Sequence, residues 1–159
     1  MPFLQTADGF VFQNQPNTFS VAVPVSGDRV KLSFFGGLAF GQINSPDCSA
    51  DNKLKIASAE DLLALKLGVI HSRIEAKDYW DIWALLKSGF SLPVALGHLD
   101  ALHPLTSNWQ ITLRTLIYFQ GGDLDTLSAD LRRDLEEAVT QVREVPEFSG
   151  PKHPIGWMP

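Results

Sequence analysis

An α+β fold, with a small antiparallel sheet followed by a helical bundle, is what this sequence predicts, on three observations. Apolar residues alternate at period two across Thr18–Phe35. From Ser58 onward the period becomes helical, and the segments open on capping residues. The strands come first and the helices after, an order that excludes alternating βαβ units and the parallel sheet they build.

The elements follow in order. Phe10, Val11 and Phe12 make a brief strand. In Thr18–Val25, Phe19, Val21, Val23 and Val25 share one face, and Pro24 marks an edge or a strand end. Ser26-Gly27-Asp28 turns the chain back into Arg29–Phe35, where Val30, Leu32 and Phe34 are expected to face the core and Lys31 and Ser33 to lie opposite. Gly36-Gly37 breaks the strand. Leu38–Ile43 is a short extended piece, Asn44–Asn52 a loop by its turn residues, and Lys53–Ile56 a strand that delivers the chain to the first helix.

Ser58 caps that helix, with Asp61 at capping-box spacing and an apolar stripe of Leu62, Leu63, Leu67 and Ile70. A bend at Ser72–Glu75 leads to a second helix ending at Gly89. A third spans Leu92–Leu102, a fourth Trp109–Phe119, and a fifth, capped by Ser128, spans Ala129–Val145. The proline-rich tail 146–159 stays unpacked unless Phe148 and Trp157 dock. The organisation expected is one domain over 1–145, its sheet part at 1–57 and its helical part at 58–145.

With 159 residues, 45% of them hydrophobic, the chain is long enough for one sizeable core. A net charge of −5 provides no general field for nucleic acid, so any contact with RNA or nucleotide must be local. The lone Cys48 excludes an internal disulfide and fits a reducing cytoplasm. No stretch has the length of a membrane span, and the start lacks the pattern of a signal peptide.

Ionisable groups meet apolar surroundings in Ile56–Leu86. Lys66 and Arg73, seven residues apart, project within roughly 20° of each other on a helix. Asp78 and Asp81, one turn apart, share a face of the next helix, beside Tyr79, Ile82, Trp83 and Leu86. Two cations therefore face two carboxylates across a helix junction. Spacing alone favours a plain interhelical tie over a functional site, and exposed pairs of that kind contribute little.

The run Lys66-Leu67, Arg73, Lys77-Asp78, Asp81 resembles the C-terminal signature of the AbiEii/AbiGii-type nucleotidyltransferase toxins of toxin–antitoxin and abortive-infection systems. There the usual pattern is Lys-Leu, Arg, then Arg-Asp-x-x-Asp, so Lys77 replaces an Arg. The resemblance extends to Val30–Leu38 and Thr115–Leu127. It implies a partial nucleotidyltransferase-like fold and transfer of an NMP from an NTP to an RNA or protein acceptor, with Mg²⁺ and a cognate antitoxin. By resemblance Lys66, Asp78 and Asp81 are catalytic, and Lys66, Arg73 and Lys77 bind nucleotide.

The family's metal motif, a Gly pair followed by Asp-x-Asp on the next strand, lies upstream of the hairpin in the resemblance. Between Met1 and Thr18 the only acid is Asp8, and the return strand offers Lys31 and Ser33 where an acid is often found. The expectation is a truncated chain without metal ligands and without transfer activity of its own. Its alternatives are a degenerate, non-catalytic member that binds a partner or oligomerises, and one piece of a split gene. Thr18–Phe35 is then expected to expose a sheet edge, open to a partner or to a second copy through the hairpin.

Gly121-Gly122-Asp123-Leu124-Asp125 contains another Asp-x-Asp, but between two helices, and reads as a helix-ending loop with solvated carboxylates. His71, His98, His103 and His153 show no ligand spacing. Tyr79, Trp80 and Trp83 read as core or interface residues, not as a platform for stacked bases.

Overall fold

The computed structural model describes residues 10–38, 41–151 and 153–154. Two compact units divide the chain, residues 1–39 and residues 40–159. The architecture is α+β, an N-terminal antiparallel sheet and then five helices.

The first unit holds β1 (Phe10–Gln15), β2 (Thr18–Val25) and β3 (Asp28–Phe35), hydrogen-bonded in the order β1-β2-β3. The β2–β3 turn works because Ser26 and Gly27 both take positive φ, 52° and 95°, which matches the twist of a two-residue hairpin. Its register runs unbroken from Val25–Asp28 to Thr18–Phe35, whereas β1 shifts register against β2 between Val11 and Gln13. Ser20, Val21 and Ala22, at the centre of β2, are buried. Contrary to the alternation-based expectation, Val30, Leu32 and Phe34 are not core residues: β3 is exposed at every position. Alternation reports which side chains share a face and not whether that face is covered, and β3 is the sheet's edge.

The second unit holds α1 (Ala59–Val69), α2 (Ala76–Lys87), α3 (Leu92–Leu102), α4 (Trp109–Leu116) and α5 (Ala129–Gln141). Short pairs join β4 (Gly41–Gln42) to β7 (His153–Pro154) and β5 (Asp47–Cys48) to β6 (Lys55–Ile56). Ser58, Ser91, Asn108 and Ser128 each accept a backbone N–H at a helix start. Leu63, Leu67, Ile82, Leu96, Leu116 and Leu131 lie fully buried in one core.

Several elements differ from expectation: α4 ends at Leu116 and not at Phe119, and Asp47–Cys48, inside the expected loop, pairs as β5. Leu62 is exposed, so the α1 stripe narrows to Leu63, Leu67 and Ile70. The last helix stops at Gln141, where Val142 turns extended and the chain descends towards Pro146. The tail is packed through Phe148, whose ring meets His98 edge-on at 4.3 Å. Gly97 permits this, since a Cβ there would overlap the Pro146 carbonyl oxygen. Trp157 lies outside the described residues.

Candidate functional site

The α1–α2 junction is built from its caps inward. Ser58 Oγ accepts from Asp61 N at 3.1 Å, but the Asp61 carboxylate does not close a capping box. It accepts instead from Ile43 N at 3.0 Å, Asn44 N at 3.2 Å and Asn44 Nδ2 at 3.0 Å, tying the preceding loop to α1. At the start of α2, Glu75 supplies no side-chain cap. Asp123 does so from the far end of the unit, accepting from Ala76 N at 2.6 Å. Gly122 makes that approach possible, because its φ of 55° is left-handed and a Cβ would overlap the Ile74 carbonyl oxygen. The Gly-Gly-Asp loop is therefore not a free acidic loop: Asp123 is a strut that holds the first turn of α2.

That turn presents Asp78, which is fully buried. Its carboxylate accepts from Arg73 Nε at 2.8 Å and Nη2 at 2.9 Å, a two-pronged grip, and from Lys66 Nζ at 3.0 Å. Lys66 also pairs with Asp81. Lys66, Arg73, Asp78 and Asp81 thus stand together at one partly buried site. Lys77 does not join them; it is exposed and pairs with Glu75.

Burial pushes the Asp78 carboxyl up, but the hydrogen bonds and charges of Arg73 and Lys66 outweigh it and hold it below the usual carboxylate value. Burial likewise lowers Lys66, yet Asp81 and Asp78 raise it above the usual ammonium value. The Asp78 hydrogen bond raises Arg73. Asp78, Lys66 and Arg73 are therefore charged at neutral pH. The side chains of Lys66 and Arg73 remain 20% and 44% exposed. A guanidinium has five N–H donors and an ammonium three, so both keep donors beyond those Asp78 and Asp81 take. Two oriented cations with spare donors on a buried anion can receive phosphate oxygens.

The carboxylates do not fit a divalent cation. Asp78 is spent on two cations and Asp123 on a backbone N–H, and Asp81 gives one oxygen to Lys66. Among the described residues, no group of three or more His, Cys, Asp or Glu is placed to hold a metal.

Asp61, Asp123 and Asp134 carry roles that motif reading missed. Asp134 accepts from Trp83 Nε1 at 3.0 Å and pairs with Lys87 at 3.1 Å, which fixes the exposed end of α2. The only advance signals were the capping-box position of Asp61 and the glycine pair before Asp123. Of the aromatics, Tyr79 is buried and donates to Thr115 O at 3.2 Å, while Trp80 is exposed and meets Trp83 edge-on.

Fold and site together define an α+β chain whose helix junction locks an Arg–Lys pair onto a buried aspartate. A family model described as nucleotidyl transferase AbiEii toxin, type IV toxin–antitoxin system, matches residues 5–149, and the chain belongs to that family. Membership implies an NTP substrate and an antitoxin partner. No curated protein and no solved structure matches the chain. No helix among the described residues is long and apolar enough to cross a membrane.

Proposed function

We propose that the α1–α2 junction is the nucleotide-phosphate half of a nucleotidyltransferase site, acting in the cytoplasm, in which an NMP passes from an NTP to an RNA or protein acceptor. The observation that carries this reading is the buried Asp78 gripping both Arg73 and Lys66 while each cation keeps an exposed side. Transfer of a nucleotidyl group is chiefly positioning and charge neutralisation, and such a pair supplies both. Lys66 contacts the phosphates and Arg73 supports it. Asp78 has every oxygen occupied, so it orients the cations and does not move protons. Asp81 is half-exposed and bonded only through Lys66, which leaves it as the group that can take the acceptor's proton. Lys77, held by Glu75 at the rim, reaches the nucleotide only by leaving that exposed pair.

Mg²⁺, where the family's reaction uses it, supplies charge neutralisation at the transferring phosphate. Among the described residues no carboxylate cluster forms a place for it. In this reading the chain binds nucleotide but does not complete transfer by itself.

The test is paired. Calorimetric titration of NTP into the wild type, Lys66→Ala and Asp81→Asn should show at least a tenfold loss for Lys66→Ala, worth about 1.4 kcal/mol, and little change for Asp81→Asn. Labelled NTP with Mg²⁺ and a tRNA pool should yield no transfer above background. Equal affinity of Lys66→Ala and wild type would remove the phosphate role, and robust transfer would show that an acidic pair in the chain does hold metal.

A further inference from the structure

The edge strand β3 is exposed along its whole length, and it differs from the opposite edge, β1, in the regularity of its pairing. All eight positions of Asp28–Phe35 are exposed. Val30, Leu32 and Phe34 are 42%, 37% and 41% exposed. They lie directly opposite Val23, Val21 and Phe19 of β2, so they extend one apolar face, and the Phe19 and Phe34 rings lie 6.1 Å apart. Among the described residues no strand pairs with the outer side of β3. The opposite edge, β1, is blunted by a register shift and ends in Gln13, Asn14 and Gln15. Edge strands in soluble proteins are normally protected by such bulges and polar residues. β3 has an unbroken register, no proline, and an apolar stripe.

The geometry points to β3 as a self-pairing edge: two copies of this chain join antiparallel through it, forming a continuous sheet in the order β1-β2-β3-β3-β2-β1. The strand's own sequence selects the register. With Leu32 opposite Leu32 of the second copy, Val30 meets Phe34 in both directions and the apolar stripe closes on itself. On the other face Lys31 meets Ser33 and Arg29 meets the Phe35 ring, so no like charges oppose each other. Sliding by one residue sets each apolar side chain against the opposite face's set. Sliding by two in one direction brings Lys31 against Lys31, and in the other it carries Val30 past the end of the strand against Gly36. One register satisfies charge and burial together.

The experiment uses the full chain with Cys48→Ser, since Cys48 is its only cysteine and is exposed. Facing residues in an antiparallel pair have Cα atoms about 4.5–5.5 Å apart, within disulfide reach. Leu32→Cys should therefore give a covalent dimer on mild oxidation, and Val30→Cys should not. Without oxidation, the scattering mass of the wild type should rise with concentration from 17.5 kDa towards twice that. Leu32→Lys should stay monomeric with an unchanged circular dichroism spectrum, and Val30→Lys gives the same reading should Leu32→Lys fail to fold. A wild type monomeric at every concentration, or Val30→Cys crosslinking as well as Leu32→Cys, would overturn the proposal.

Discussion

Two aspartates on neighbouring helices, Asp61 of α1 and Asp78 of α2, are both buried, and the protein answers them differently. Asp61 is satisfied by dipoles: two backbone N–H groups and the Asn44 amide. Its nearest ionisable neighbour, His98, stands with Nδ1 3.8 Å away and makes no hydrogen bond to it. Asp78 is satisfied by ions, Arg73 and Lys66, each with one side towards solvent. Backbone donors cannot leave the chain they belong to, so Asp61 serves only to hold the loop at Ile43–Asn44 against α1. Side-chain cations can be shared with a ligand. The contrast shows why one buried acid is architecture and the other is the centre of a candidate site.

The sharpest way to break this contrast is Asp61→Ala. It strands three N–H donors in a partly buried setting, each costing on the order of 1 kcal/mol or more, so stability should fall by about 3 kcal/mol. For a chain of this size that is a drop in Tm of roughly 6–12 °C. NTP affinity at temperatures where the variant is folded should not change. A Tm within a degree of wild type, or a lost affinity, would erase the distinction.

Asp78→Asn comes next. It releases two cations that can turn to water, so the stability cost should be about 1–3 kcal/mol, while NTP binding should weaken at least as much as in Lys66→Ala. The pH dependence separates the two effects. Because the folded-state value of Asp78 lies below the ordinary 3.8, its contribution is full above pH 3.8 and disappears as pH falls further through the folded value. The gap in stability between wild type and Asp78→Asn should therefore be widest near neutral pH and close in acid. Lys66, raised above 10.5, loses its contribution only as pH rises past that value. A gap that persists in strong acid would mean that the carboxylate charge is not what Asp78 contributes.

The smallest effect is expected of Lys77→Ala. Its pair with Glu75 is exposed, and removing it should change stability by less than about 0.5 kcal/mol. NTP affinity should fall less than threefold. A loss equal to that of Lys66→Ala would place Lys77 inside the site and not at its rim.

Reading the chain residue by residue went furthest where the physics is local. The β2–β3 hairpin, the helix starts at Ser58, Ser91 and Ser128, and the shared faces of Lys66 with Arg73 and of Asp78 with Asp81 all follow from short-range periodicity and capping. These were enough to indicate an α+β chain and the four residues that meet at the helix junction. Tertiary structure decided everything that depends on what lies opposite. It left Val30, Leu32 and Phe34 uncovered, sent Lys77 to Glu75, gave the Asp61 carboxylate to a loop 17 residues away, and made Asp123 the cap of a helix 47 residues earlier. A sequence states which side chains share a face, because backbone geometry sets that within a few residues. Whether a face is covered, and by which partner, depends on contacts between distant segments whose free energy no local pattern records.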